Sequence, residues 1–516
     1  MYSLVVRLIL SLFLFFIFLP SSFLSASDAI PLKKLFNVTK IDFNKKISGH
    51  TATLLSDGKL LIIGGKDETG LLSSIYIYDA STNQFKDASA KLITSRYDHT
   101  ATILSDNKVL IAGGSDSAGP ISSLEIYDPV SDAISVLSNS LSIPRTGHTA
   151  ALLSDGRVLI TGGTDSSGIS LDSAELYDPK MGEAAPRPYI LPARMTTFRS
   201  NHTATLLPDG RVIIIGGKEE GQGSGVKVAL NSAEVFNPST ETFTPLSGQL
   251  KKGRFGHTAT LLPDGRILIA LGAGYDYDED DDDDDKDTNK IKPYNNAELY
   301  DPVTDTFIKI AGKITDKRYD HTANLLPDAR IIIIGGTGKE QGQGSWGKGE
   351  GAVILTPVIK DTNNPLIASI TINNNPPSLD PAPLTHDPLT LIRFSEPIRV
   401  TTLTPDTIIL KREDGQKVEG TIAQSESGLL AFFTPKNPLS GGKGYTIELT
   451  SGITDTSGNP LTAYTNTFVV PNPVPSITSI LPITAIANTT FTITIKGTGF
   501  VETSQIKLGG YAIPTT

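Results

Sequence analysis

The alternation of hydrophobic and polar positions in this chain is dominated by one motif written six times. Its clearest copy runs from Arg254 to Gly265, RFGHTATLLPDG, and leads directly into the apolar run RILIA. In HTATLL the β-forming residues recur at period two, which predicts a strand; the Asp-Gly pair predicts a tight turn, and the apolar run a returning strand. Close copies begin at or near Lys46, Arg96, Arg145, Arg199 and Arg318. Their turn pairs are Asp57-Gly58, Asp106-Asn107, Asp155-Gly156, Asp209-Gly210 and Asp328-Ala329. The last should use a different turn, because alanine tolerates positive φ poorly where glycine and asparagine tolerate it well. After the second strand comes a double glycine, eroded in the fifth copy to Leu271-Gly272-Ala273-Gly274. Each unit then has a loop of variable length and a third strand ending in Tyr-Asp or Tyr-Asp-Pro, with Phe236-Asn237-Pro238 in the fourth copy. A short fourth strand carries Phe85, Phe243 or Phe307.

Four strands per unit, with the histidine recurring every 49 to 64 residues, is the pattern of a propeller blade. The order of histidine strand, Gly-Gly, Tyr-Asp-Pro and a later aromatic resembles the kelch repeat, and the resemblance covers about two-thirds of the chain. It implies an all-β fold in which a six-bladed kelch-type β-propeller, residues 31–360, is followed by Ig-like β-sandwich domains. The sixth copy lacks a fourth strand after the degenerate third at Ala352 to Pro357, whereas Lys34 to Asp42 precedes the first hairpin as fourth strands precede the others. The N-terminal strand is therefore expected to complete the last blade and close the ring.

Proline and asparagine become dense from Asn363 to Pro383, which places a linker over 361–383, overlapping the next domain. From 367 to 471 strands and turns alternate without a helical period. RFSEPI at Arg393, FFTPKNPLSGGKGYTIEL at Phe432 and GITDTSGNPL at Gly452 together resemble a bacterial Ig-like domain of the kind found in cell-surface proteins. PSITSILP at Pro475 and FTITIKGTGF at Phe491 resemble the start of an IPT/TIG module, incomplete over 475–516, so more chain is expected after Thr516.

Composition narrows the chemistry. Residues 1–27 hold Arg7, an apolar run from Leu8 to Leu19 and then small residues, the layout of a secretory signal peptide. A secreted or cell-surface location follows as an expectation, with no membrane span in the mature chain. The 516 residues contain no cysteine, which removes disulfides, thiolate metal sites and a cysteine nucleophile. A net charge of −10 is the wrong sign for a nucleic-acid binder.

Six of the seven histidines, His50, His99, His148, His202, His257 and His321, hold one repeat position. Equivalent positions in a propeller are spread round a ring, so a structural hydrogen-bonding role is expected rather than a shared metal. Three residues earlier stand Arg96, Arg145, Arg199, Arg254 and Arg318. The kelch resemblance implies that they ring the ligand-binding face, where their forks could grip carboxylates. The alternative is that each pairs with an acid or a backbone carbonyl of its own or the neighbouring blade, which such regularity favours.

Three loops between second and third strands are long: 218–227, 275–292 and 337–349. In the middle one, Asp276, Asp278, Asp280 and Asp282 offer calcium hard oxygen ligands, although like-charge runs are more often solvated. In the last, Gly342 to Lys348 imitates a phosphate loop but lacks the following Ser or Thr, and the only tryptophan, Trp346, could stack on a sugar or anchor a protein partner. No other cofactor is implied and no catalytic residue stands out. The expected function is that of a monomeric binding or adhesion protein, with a protein or glycan ligand on the propeller's loops and the Ig-like domains as spacers. The alternative is a carbohydrate-active enzyme of galactose-oxidase-like architecture, whose copper site needs a cysteine that this chain lacks, or a propeller hydrolase.

Overall fold

The computed structural model describes residues 29–43, 45–179, 188–221, 227–275, 290–338, 351–358, 361–373, 389–425, 427–437, 439–470, 476–481, 494–498, 506–508 and 511–513. Among them there is no α-helix. The chain is all-β, a kelch-type propeller followed by an Ig-like sandwich. No helix among the described residues is long and apolar enough to cross a membrane.

Each repeat folds into an antiparallel four-stranded sheet. Blade 2 shows the plan, with strands Thr100–Ile103, Val109–Ala112, Ser123–Asp128 and Ala133–Ser140 in sequence order across the sheet. The second strand of every blade is buried along its whole length, as LLII, VLIA, VLIT, VIII, ILIA and IIII. A strand sandwiched between neighbouring blades has no wet face, so alternation is lost and the apolar run is continuous. On the outer side, the tyrosine or phenylalanine ending the third strand packs on the phenylalanine of the fourth: Tyr78 on Phe85, Phe236 on Phe243 and Tyr300 on Phe307, with centroids 4.7, 4.9 and 4.7 Å apart.

The turn at Asp328-Ala329 corrects the expectation drawn for it. Ala329 takes φ 66° and its N–H reaches the Leu326 carbonyl at 3.1 Å, matching Gly58, whose N–H reaches Leu55 at 3.0 Å. Packing imposes the common turn on an unfavourable residue. Leu271 likewise adopts φ 61° where the other blades carry the first glycine of the pair.

The ring closes through the N-terminus. Phe36–Ile41 pairs antiparallel with Ala352–Pro357, from Phe36 opposite Pro357 to Ile41 opposite Ala352, and supplies the outer strand of blade 6. Just upstream, Ile30–Pro31 pairs in parallel with the outer strand of blade 5, Thr306–Ala311.

After the ring the chain forms a sandwich with one sheet of four strands, Ile367–Asn373, Leu389–Phe394, Leu430–Pro435 and Gly420–Gln424, and one of three, Ile408–Arg412, Gly444–Leu449 and Tyr464–Val469. Its own core holds Phe394, Ile408, Phe433, Ile447 and Leu461. A second set of its residues, including Leu391, Leu430 and Phe432, joins the apolar cluster of the propeller that contains Leu104, Leu153 and Leu207. Those three leucines enter the turns between first and second strands. The Asn107 side chain donates to the Ile422 carbonyl there, and Gly58 and Gly210 lie against Thr401 and Arg393. The sandwich thus covers the turn face of the ring, and its contacts with the ring among the described residues are on that face.

Candidate binding face of the propeller

The loop face is organised by three residues of the repeat: the arginine, the residue before the histidine, and the histidine itself. All six imidazoles are buried, and each Nε2 is hydrogen-bonded to the threonine opening the first strand of the preceding blade. His99 meets Thr51 at 3.2 Å, His148 meets Thr100 at 3.1 Å, and His202 meets Thr149 at 2.9 Å. His257 and His321 continue the series on Thr203 and Thr258, and His50 closes it on Thr322 at 3.0 Å. Desolvation holds every one of these imidazoles far below its usual pKa, to about 3 for His50, His148 and His257. They are neutral links between blades.

For the arginines the structure overturns the ligand-gripping expectation. Arg96, Arg145, Arg199, Arg254 and Arg318 are each 0–1 % exposed. Nη1 donates to the carbonyl of the first position of the double glycine in its own blade: Gly113, Gly162, Gly216, Leu271 and Gly335, at 2.7–2.9 Å. Nη2 pairs with a buried glutamate of the third strand in four blades, Arg145 with Glu175 and Arg199 with Glu234 at 2.8 Å, Arg254 with Glu298 at 2.7 Å, and Arg96 with Glu125 at 2.5 Å. The glutamate also accepts backbone N–H groups of the chain crossing between blades, as Glu175 does from Ser142 and Ile143. A fork sealed within the sheet and held by a carboxylate and a carbonyl is out of reach of a ligand on the surface. In blade 6 Val353 stands at the glutamate register, and Arg318 additionally donates to Thr315 Oγ1 at 3.2 Å. Blade 1 replaces both members, with Ile47 for the arginine and Tyr76 for the glutamate. These glutamates recur two residues before the Tyr or Phe of LEIYD, AELYD and AEVFN, a sequence signal that points to the partner.

Immediately before the histidines the chain reads Gly49, Asp98, Gly147, Asn201, Gly256 and Asp320. All six adopt positive φ, between 50° and 61°. Each N–H donates to the carbonyl of its counterpart in the preceding blade, at 2.7–3.1 Å, and Gly49 donating to Asp320 completes a six-membered backbone ring round the central channel. The alternation of glycine and Asx is steric. A Cβ on Gly49, Gly147 or Gly256 would lie 2.5, 2.8 or 2.4 Å from the Oδ1 of Asp98, Asn201 or Asp320, so each Asx side chain needs a glycine beneath it.

Together with the histidines these residues line a cavity of about 160 Å³. Burial pushes both Asp98 and Asp320 upward, and their mutual repulsion adds to this at Asp320; Lys66 and Lys218 pull the other way. Outside the ring lie aromatic rings and cations. Lys66 Nζ sits 4.1 Å from the Tyr97 ring centroid, Lys218 Nζ 5.5 Å from that of Phe255, and Phe255 packs on Tyr275 and Tyr319. Glu220 joins Lys218 and Lys227 at 3.0 and 3.2 Å and accepts the Tyr275 hydroxyl at 2.9 Å. The mouth therefore presents carboxylate, amide, ammonium and aromatic groups on a scaffold whose backbone is fully engaged, a surface suited to recognition. The aspartates Asp276, Asp278, Asp280 and Asp282 and Trp346 lie outside the described residues. A larger groove of about 550 Å³ runs along the seam of blades 1 and 6, lined by Phe43, Lys45, Tyr76 and Phe85 among others.

The four-stranded sheets and the contacts repeated between them define a six-bladed β-propeller. In agreement, residues 37–185 match the KLHDC2/KLHL20/DRC7 Kelch-repeats domain and residues 357–470 match the Bacterial Ig-like domain. The chain carries both, and the combination fits a protein-binding role. No curated protein matches the chain closely.

Proposed function

We propose that this chain is a secreted or cell-surface binding protein that captures a protein or glycan on the loop face of its propeller. The observation that carries this reading is the placement of the Ig-like sandwich on the turn face, so that among the described residues it does not cover the mouth with Asp98 and Asp320 and the nearby Lys66, Lys218 and Tyr97. Variable loops on a rigid ring are where recognition is usually built. In this reading the Ig-like domain is both base and spacer, and the opposite charges at the mouth select a partner that presents both an anionic and a cationic group.

The test is capture by the purified chain of components from a glycan array and from extracellular protein fractions, set beside a Lys66→Glu, Lys218→Glu double variant. Both lysines are half-buried and Lys218 pairs with Glu220, so a cooperative melting curve of the variant is the first condition of the test. A tenfold or greater loss of affinity supports the assignment. Undiminished binding by the folded variant places the ligand elsewhere.

A further inference from the structure

Away from the propeller mouth, three carboxylates from distant parts of the chain converge. Asp361 lies just after the ring, Glu396 follows the strand Leu389–Phe394, and Asp455 stands in the turn before Pro460. Oxygens of all three lie within 4.8 Å of one another. Asp455 is 0 % exposed and Glu396 7 %. The two aspartates have donors: Asp455 accepts from the backbone N–H and the side-chain amide of Asn459 at 2.8 and 2.6 Å, and Asp361 accepts from the Asn363 N–H at 2.9 Å. The same Asn459 amide also reaches the Asp361 carbonyl at 3.1 Å.

Glu396 differs. Its described partners are Asp361 and Asp455 alone, with no N–H, hydroxyl or cation among them. Arg399 directs Nη2 to the Thr456 carbonyl at 3.2 Å. A carboxyl more than nine-tenths buried and facing only other carboxyls must either keep a proton or meet a positive ion.

We propose that Asp361, Glu396 and Asp455 hold a divalent cation, and that the cation is calcium. The donors are hard oxygens without nitrogen or sulfur, and the set is irregular and partly open on the side of Asp361, which calcium accepts more readily than magnesium does. Bound there, it replaces the proton on Glu396 and ties the segment leaving the propeller to two separate loops of the sandwich. It therefore stiffens the junction between the ring and its base.

The full chain, stripped with chelator, should bind one additional calcium ion by calorimetry, and its sandwich should melt several degrees higher in millimolar calcium. Glu396→Gln keeps the shape and removes the charge. It should fold, leave the melting temperature of the calcium-free chain within a degree or two of the parent, because Gln stands in for the protonated acid, and lose at least tenfold in calcium affinity. A second variant with Asp280 to Asp285 changed to asparagine separates this site from the acidic run and should retain the calcium shift. No shift in the parent chain, or a shift that survives Glu396→Gln but disappears with the asparagine variant, would overturn the proposal and leave Glu396 as a protonated buried acid.

Discussion

The arginine–glutamate pairs make a sharp energetic prediction. Arg145 and Glu175 are both 0 % exposed and meet at 2.8 Å. Glu175→Ala deletes that contact, the acceptor of the Ser142 N–H at 2.8 Å and that of the Ile143 N–H at 3.3 Å, and leaves a guanidinium sealed in the sheet. Breaking a buried pair from one side is worth about 3–5 kcal/mol, most of it the uncompensated charge. Arg211 and Asp209 form a pair of similar length whose side chains are 45 and 48 % exposed. Arg211→Ala should lose at most about 1 kcal/mol. Blade 1 suggests the third variant, because Ile47 and Tyr76 occupy the two positions there. Arg145→Ile with Glu175→Tyr should recover much of the loss, since an apolar replacement of both partners removes the stranded charge. Urea unfolding followed by circular dichroism would measure all three. Equal losses for Glu175→Ala and Arg211→Ala, or a double variant as unstable as the sum of its singles, would refute the reasoning.

Other consequences follow from the ring. The six imidazoles have folded pKa values far below 6.5, so their contribution is fully present above pH 6.5 and is lost as pH falls towards about 3. The melting temperature should drop through that window, and His148→Gln should reduce the slope by at most about 1.4 kcal/mol per pH unit. Asp320 has the opposite sign: its folded pKa is raised to about 7, so the stability of its protonated form is lost as pH rises towards and through that value. Asp320→Asn, which copies Asn201, should stabilise the chain at pH 8 by on the order of 1 kcal/mol after solvent screening, and by less at pH 5, as read from melting curves. Gly162→Ala would place a Cβ 2.4 Å from the Arg199 carbonyl oxygen at φ 60°, whereas Gly168, at φ 77°, has nothing within 4 Å. The first substitution should lower stability by about 3 kcal/mol and the second by about 1, measured by denaturant midpoint.

Much of the architecture was legible because the propeller repeats its local physics. HTATLL, the Asp-Gly turn, the apolar second strand and the double glycine each report a backbone requirement met within one blade, and six copies make the pattern unmistakable. The roles of the repeated polar residues were less legible. An arginine at a fixed register reads equally as a ligand fork or as an internal strut, and only the third-strand glutamate, some 30 residues later in chain order, decides between them. Ala329 and Leu271 show the converse, where neighbouring blades impose a backbone conformation that the residue itself disfavours.

The sequence by itself determined the fold class, the blade plan and the two kinds of domain, because these rest on periodicity and turn chemistry written within short windows. Tertiary structure alone decided which face the sandwich covers, that Asp98 and Asp320 share one channel mouth with Lys66 and Lys218, and that Asp361, Glu396 and Asp455 converge. Such sites join residues separated by tens to hundreds of positions. Their chemistry depends on distance and burial, which no local pattern encodes.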